Sequence, residues 1–354
     1  MGEPKCPQGC QVVSATHFPV RDEWLSQTSE EILEPDLPII DPHHHIWDRP
    51  KWRYMIDDIA EDLASGHNII ATVFVQCHSM HRANGPEEMA PVGETEFVNG
   101  VAAIGASGLY GKQRLCAGIV GHANLTLGKA VKPILEAHIQ AGGGRFRGIR
   151  HITAWDDDDR LINKSYSVKK GLLADPNFRA GFAELEKLNL SFDAWLYHPQ
   201  IDELRDLAQN FPGTTIILDH CGGPLGLGEY ASASTNVFAS WRKSIEKLAA
   251  CRNVRVKLGG LGMRINGYDF HEKQLPPTSD ELAKAWFQYF DTIIQAFGPD
   301  RCMFESNFPV DKGSYSYPIY WNACKKFTND FNNEDREYLF SKTAAEVYRV
   351  DLGE

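Results

Sequence analysis

The sequence predicts an α/β fold, a single (β/α)₈ barrel of the TIM type over residues 38–354, preceded by an N-terminal extension over residues 1–37. Three observations point there. From residue 38 onward, eight short apolar and β-branched runs recur, with segments between them long enough to hold helices. A length of 354 residues suits one such barrel with an added arm. After its first apolar run the chain carries histidines, where a doubly wound open sheet would carry a Gly-rich phosphate loop.

The extension is rich in Pro, Gly, Ser and acidic residues and shows no clear period; Trp24 and Leu25 are its candidate anchors onto the body. Strands are expected at 38–42, 69–76, 115–121, 146–150, 190–196, 214–219, 253–258 and 301–306. Apolar residues at three- and four-residue spacing predict helices over Val131–Ala141, Phe178–Leu188, Ile201–Asn210, Trp241–Ala250 and Leu282–Phe297, with a closing helix over Glu334–Tyr348.

Catalytic groups of such barrels sit at the C-terminal ends of the strands, and here every strand ends in polar residues while its interior is apolar. Side chains alternate along a strand, so His43 and His45 share a face and His44 takes the other. The second strand ends in Gln76 and His78, the third at His122, the fourth at Arg150 and His151. Next come His198 after the fifth, Asp219 and His220 after the sixth, Lys257 on the seventh, and Glu305 and Asn307 at the eighth. Four imidazoles, of His43, His45, His198 and His220, suit one divalent ion (zinc or manganese) that lowers the pKa of a bound water. Parity groups His198 with Phe192, Ala194 and Leu196, and only that set or the set of Asp193, Trp195 and Tyr197 faces the barrel interior. Arg150 and Lys257 are cations at strand ends, offset by an anionic substrate or by neighbouring carboxylates. Trp47, Trp52, Tyr54, Trp155 and Tyr197 supply aromatic wall, and the turn-rich loop His78–Pro86 is expected over the mouth.

A formal charge of −11 argues against nucleic acid and anionic membranes as partners, and no apolar run approaches a bilayer span. There is no signal-peptide pattern, and most of the eight cysteines lie within apolar runs, so a reducing, cytoplasmic setting is expected. Cys6 and Cys10 alone make a weak zinc signal. Self-association into a homo-oligomer is left open.

Five segments together resemble the amidohydrolase superfamily, in its branch of lactonases and decarboxylases. They are Asp41-Pro42-His43-His44-His45-Ile46-Trp47-Asp48, Arg147-Gly148-Ile149-Arg150-His151, Tyr197-His198-Pro199-Gln200, Leu218-Asp219-His220-Cys221-Gly222-Gly223-Pro224 and Met303-Phe304-Glu305-Ser306-Asn307-Phe308-Pro309. The resemblance implies a distorted (β/α)₈ barrel and hydrolysis, often of sugar-acid or aromatic-acid lactones. It makes His43 and His45 first-strand ligands, and His198 and His220 the fifth- and sixth-strand histidines. The chain departs from the family at Asn307, which stands where an aspartate usually takes the proton of the attacking water. An amide is no general base at neutral pH. The leading expectation is water attack on a lactone or related ester bearing a carboxylate. His43, His45 and His220 then act with one divalent metal ion or without any. Arg150 and Lys257 hold the anionic end, and His198 or His78 shuttles protons. Gln76, Trp47 and His122 complete the substrate side, with Asn307 at the reacting centre. A decarboxylase on the same site and a small-acid-binding barrel without turnover are the alternatives.

Overall fold

A computed structural model describes residues 17–50, 52–162, 166 and 168–351. Eight parallel strands follow one another around a barrel in sequence order. They are β1 (Ile39–His44), β2 (Ile69–Val75), β3 (Arg114–Gly121), β4 (Phe146–Arg150), β5 (Ser191–Ala194), β6 (Ile216–Leu218), β7 (Val254–Leu258) and β8 (Cys302–Phe304). The chain just past β8 closes the ring onto β1: the Asn307 amide donates to His43 O at 2.9 Å and the His45 amide to Phe308 O at 2.8 Å. The Asp41 carboxylate braces this seam, accepting from Ser306 Oγ at 2.6 Å and Tyr317 OH at 3.0 Å.

The expected strands are all present, each within a few residues of its predicted limits. So are the predicted helices, seen as Lys132–Ala141, Pro176–Lys187, Ile201–Asn210, Ser234–Leu248 and Ser279–Phe297. Their apolar stripes (Leu204, Trp241, Ile245, Trp286 and Phe290 among them) pack on the outward faces of the strands and form the main core. Within the barrel a second apolar layer of Ile40, Val73, Val75, Ile217 and Met303 meets Ala344, Val347 and Tyr348 of the last helix, Thr343–Tyr348. Four described α-helices were not predicted: Asp22–Leu25, Ile56–Leu63, Val92–Gly105 and Tyr317–Phe327.

From residue 17 the arm runs over the body. Trp24 Nε1 donates to Lys273 O at 3.2 Å, and the Lys325 ammonium donates to Leu33 O at 2.7 Å and Glu34 O at 2.8 Å. Trp24 and Leu25 are buried, as their apolar character predicts. The described cysteines are free thiols, all buried, and no described helix is long and apolar enough to cross a membrane. Cys6 and Cys10 lie outside the described residues.

Candidate active site

The ends of β1, β4, β6, β7 and β8 converge on His43, which is fully buried. Its Nδ1 lies 2.8 Å from Glu305 Oε2 and 3.1 Å from Lys257 Nζ, and its Nε2 lies 3.2 Å from Arg150 Nη1. Burial, and after it the Lys257 ammonium, hold His43 well below the ordinary imidazole range, so the ring is neutral. A neutral imidazole has one donor and one acceptor. The proton therefore belongs on Nδ1, facing Glu305, and Nε2 accepts from Arg150.

Glu305 also grips His220. Its Oε1 accepts from His220 Nδ1 at 2.7 Å and from the His220 amide at 2.9 Å. Burial alone would push this carboxyl up, but His220 and His43 outweigh it and bring it down to about 2, so it is ionised. Two glycines after β7 let these groups come together. A Cβ on Gly259 would lie 2.6 Å from Glu305 Cγ, and one on Gly260 would lie 2.4 Å from His220 Nδ1, on a backbone with φ of +68°. With Nδ1 donating to Glu305, His220 presents Nε2 as a lone pair. His45 matches it: its Nδ1 donates to Val75 O at 2.7 Å, which leaves Nε2 an acceptor.

His45, His220, Arg150, Asn307 and Trp47 line one small cavity of about 60 Å³, with His17 and Arg49 on its rim. Arg150 Nε and both amide atoms of Gln76 are buried beside it without a hydrogen-bond partner among the described residues. The Asn307 amide is held by Asp311 Oδ1 at 3.0 Å. Asp311, which also accepts from Tyr315 OH at 2.5 Å, is pushed up by burial to about 7.

Lys257 does not reach this cavity. It is fully buried beneath His43, 2.7 Å from Asp193 Oδ2 and 3.1 Å from Asp219 Oδ1, and Tyr348 OH caps the same Asp193 oxygen at 2.6 Å. Those carboxylates answer its charge, so the expected grip on an anionic substrate is corrected to an internal ion pair. His198 is also displaced from its expected place. Asp193 and Trp195 face inward, with Trp195 4.7 Å from His220 between ring centroids, while His198 lies past the strand in the short 3₁₀ turn His198–Gln200. Its Nδ1 is taken by the Leu225 amide at 3.3 Å, and it is not among the converging ligand atoms. His78 and His122 gather in a neighbouring pocket instead.

Among the described residues, His43, His220 and Glu305 offer ligand atoms within 4.8 Å of one another. Two imidazoles and a carboxylate suit zinc or manganese, so the donor set fits a divalent ion with Glu305 present and the expected ligands His45 and His198 both outside it. The sequence marks Glu305 as a partner for Arg150 or Lys257 and as one candidate to substitute for the missing aspartate, but not as a metal ligand. It gives Trp195, with Asp193, as one of two choices for the inward face but not as a site residue. It misses His17 and Arg49, whose approach depends on loop paths that leave no pattern.

Over 337 residues the chain is 34% identical to an uncharacterised Sinorhizobium fredii protein, y4mH, covering 89% of this chain and 99% of that one. It is 23% identical over 322 residues to the L-fucono-1,5-lactonase of Burkholderia multivorans, covering 88% and 96%. A crystal structure of a Burkholderia multivorans amidohydrolase with bound zinc superposes with a TM-score of 0.67 at 23% identity, covering 88% of this chain and 99% of that one. The family model described as Amidohydrolase matches residues 40–350, nearly the whole barrel, and the chain belongs to that family.

Proposed function

We propose that the protein is a hydrolase that opens a lactone or related ester of a small carboxylate-bearing molecule. The observation that carries this reading is the Glu305–His220 pair, 2.7 Å apart, which aims the far imidazole nitrogen into a cavity walled by Arg150. Water attacks the carbonyl carbon, a C–O bond forms, and His220 Nε2 takes the water's proton. The Glu305 carboxylate stabilises the imidazolium that results. Arg150 stabilises charge on the carbonyl oxygen. When the tetrahedral intermediate collapses, the ester C–O bond breaks and His220 returns the proton to the leaving alkoxide, giving a hydroxy acid. Asn307, fixed by Asp311, orients without exchanging a proton. The ion-loaded state is an alternative to the His220 base: a divalent ion, where bound, would be held by His43, His220 and Glu305 and would itself supply Lewis-acid polarisation in place of that base. The 23% identical fuconolactonase supports a sugar-acid lactone as the first class to try.

The test is a panel of sugar-acid and aromatic-acid lactones read by proton release in weak buffer. The reading predicts turnover of at least one lactone, abolished in His220→Asn. Release of carbon dioxide from matched carboxylic acids without lactone opening would replace it with the lyase.

A further inference from the structure

We propose that the histidine-walled pocket beside the catalytic cavity binds an uncharged, hydroxyl-rich group of sugar size. Given the hydrolase reading, the natural ester then carries such a substituent beyond the bond that breaks. The cavity at His220 holds only about 60 Å³, below the ~300–1,000 Å³ of small-molecule sites. Next to it lies a pocket of about 550 Å³, and Ile152 and Tyr166 wall both spaces. The two are neighbouring compartments.

Three successive strand ends, after β2, β3 and β4, deliver His78, His122 and His151 to the larger one. The His78 and His122 rings are 4.6 Å apart and those of His122 and His151 5.2 Å apart. His122 Nδ1 donates to Arg150 O at 3.2 Å, which leaves Nε2 to accept. His151 Nδ1 accepts from the Leu125 amide at 3.3 Å, which leaves Nε2–H to donate. His78 Nε2 is buried with no partner among the described residues, on a residue with φ of +58°, a backbone region costly for any side chain but glycine. Asn124 adds a donor, because its Oδ1 is already used by Thr126.

Burial, then mutual repulsion, hold His78 near 2 and His151 near 3, and burial holds His122 near 4. These rings are therefore neutral, and the acceptor of His122 stands beside the donor of His151. A hydroxyl both donates and accepts, so it pairs with such a wall. A carboxylate only accepts, and against these rings it would have to force a proton onto one, because the lysine that lines the pocket, Lys169, is solvent-exposed. One divalent ion is also a poor occupant, since among the described residues only His43, His220 and Glu305 converge closely enough for it.

The test uses the full chain with isotope-labelled histidines, observed by NMR. Lactose, a neutral disaccharide, should shift the ring signals of His78, His122 and His151 in a saturable manner, while succinate should not. In His122→Phe the lactose response should fall at least tenfold at an unchanged melting temperature. Asn124→Leu gives the same reading should that variant not fold. Absence of any lactose-induced shift up to its solubility limit would overturn the proposal, as would a succinate response with ring protonation. The readout needs no turnover. Lactose binding by a protein inert to every lactone would leave the pocket standing and remove the hydrolase.

Discussion

Replacing Glu305 with Gln removes a carboxylate and keeps nearly the same shape. Its pKa lies near 2 against an ordinary 4.5, a difference of about 3 kcal/mol in favour of the ionised form. A depressed carboxyl lends stability that is complete above pH 4.5 and lost as pH falls through about 2, so at pH 7–8 the whole interaction is present. It is shared between His220 and His43, and roughly half of about 3 kcal/mol up to all of it bears on the proton held by His220. That corresponds to a fall in kcat on the order of 10- to 100-fold. Steady-state kinetics on a turned-over lactone provide the assay, with metal content measured in both proteins. Circular dichroism confirms the fold. A Glu305→Gln enzyme within threefold of the parent kcat would refute the assignment of Glu305 as the partner of the base.

Lys257→Met leaves Asp193 and Asp219 buried without their cation and should cost about 3–5 kcal/mol in denaturant unfolding, part of which Asp193→Asn restores. Near-parental stability of the single variant would show that those carboxylates are not charged in the native state. Asp311 is raised to about 7, so the native state keeps a proton that the unfolded chain releases near pH 4. Its contribution is complete below pH 4 and is lost as pH rises through about 7. Asp311→Asn should therefore raise the melting temperature at pH 8 while changing it little at pH 4; the opposite pattern would place a cation beside Asp311. Protein purified without chelator should contain near one zinc or manganese per chain by elemental analysis, and His220→Asn should lower that content several-fold. An undiminished content would put the ion elsewhere.

Much of the fold was legible because the two signals that specify it are local. The β-branched runs located the strands, and the amphipathic stripes located five helices and the closing helical segment. The helix Val92–Gly105 was missed because Gly93, Gly100 and Gly105 interrupt its pattern. Gly93 packs against Arg82 and Met80, where an added Cβ would lie 2.7 Å from backbone atoms. The site was legible as a set of strand ends but not as a geometry. Parity correctly paired His43 with His45 and turned His44 away, where its ring meets Thr72 Oγ1 at 2.9 Å. It also posed the question of His198, which tertiary structure answered by turning Asp193 and Trp195 inward. Lys257 could not be judged from sequence at all. Whether a strand-end cation faces solvent or a pair of aspartates depends on residues 64 and 38 positions away, Asp193 and Asp219.

Isotope labelling tests the central chemistry most directly. With a turned-over lactone in ¹⁸O water, a single labelled oxygen should enter the product carboxylate and none its new hydroxyl, because water adds to the carbonyl carbon and the alkoxide leaves. Label in the hydroxyl, or a product lighter by carbon dioxide, would contradict attack at the carbonyl by a water that His220 deprotonates.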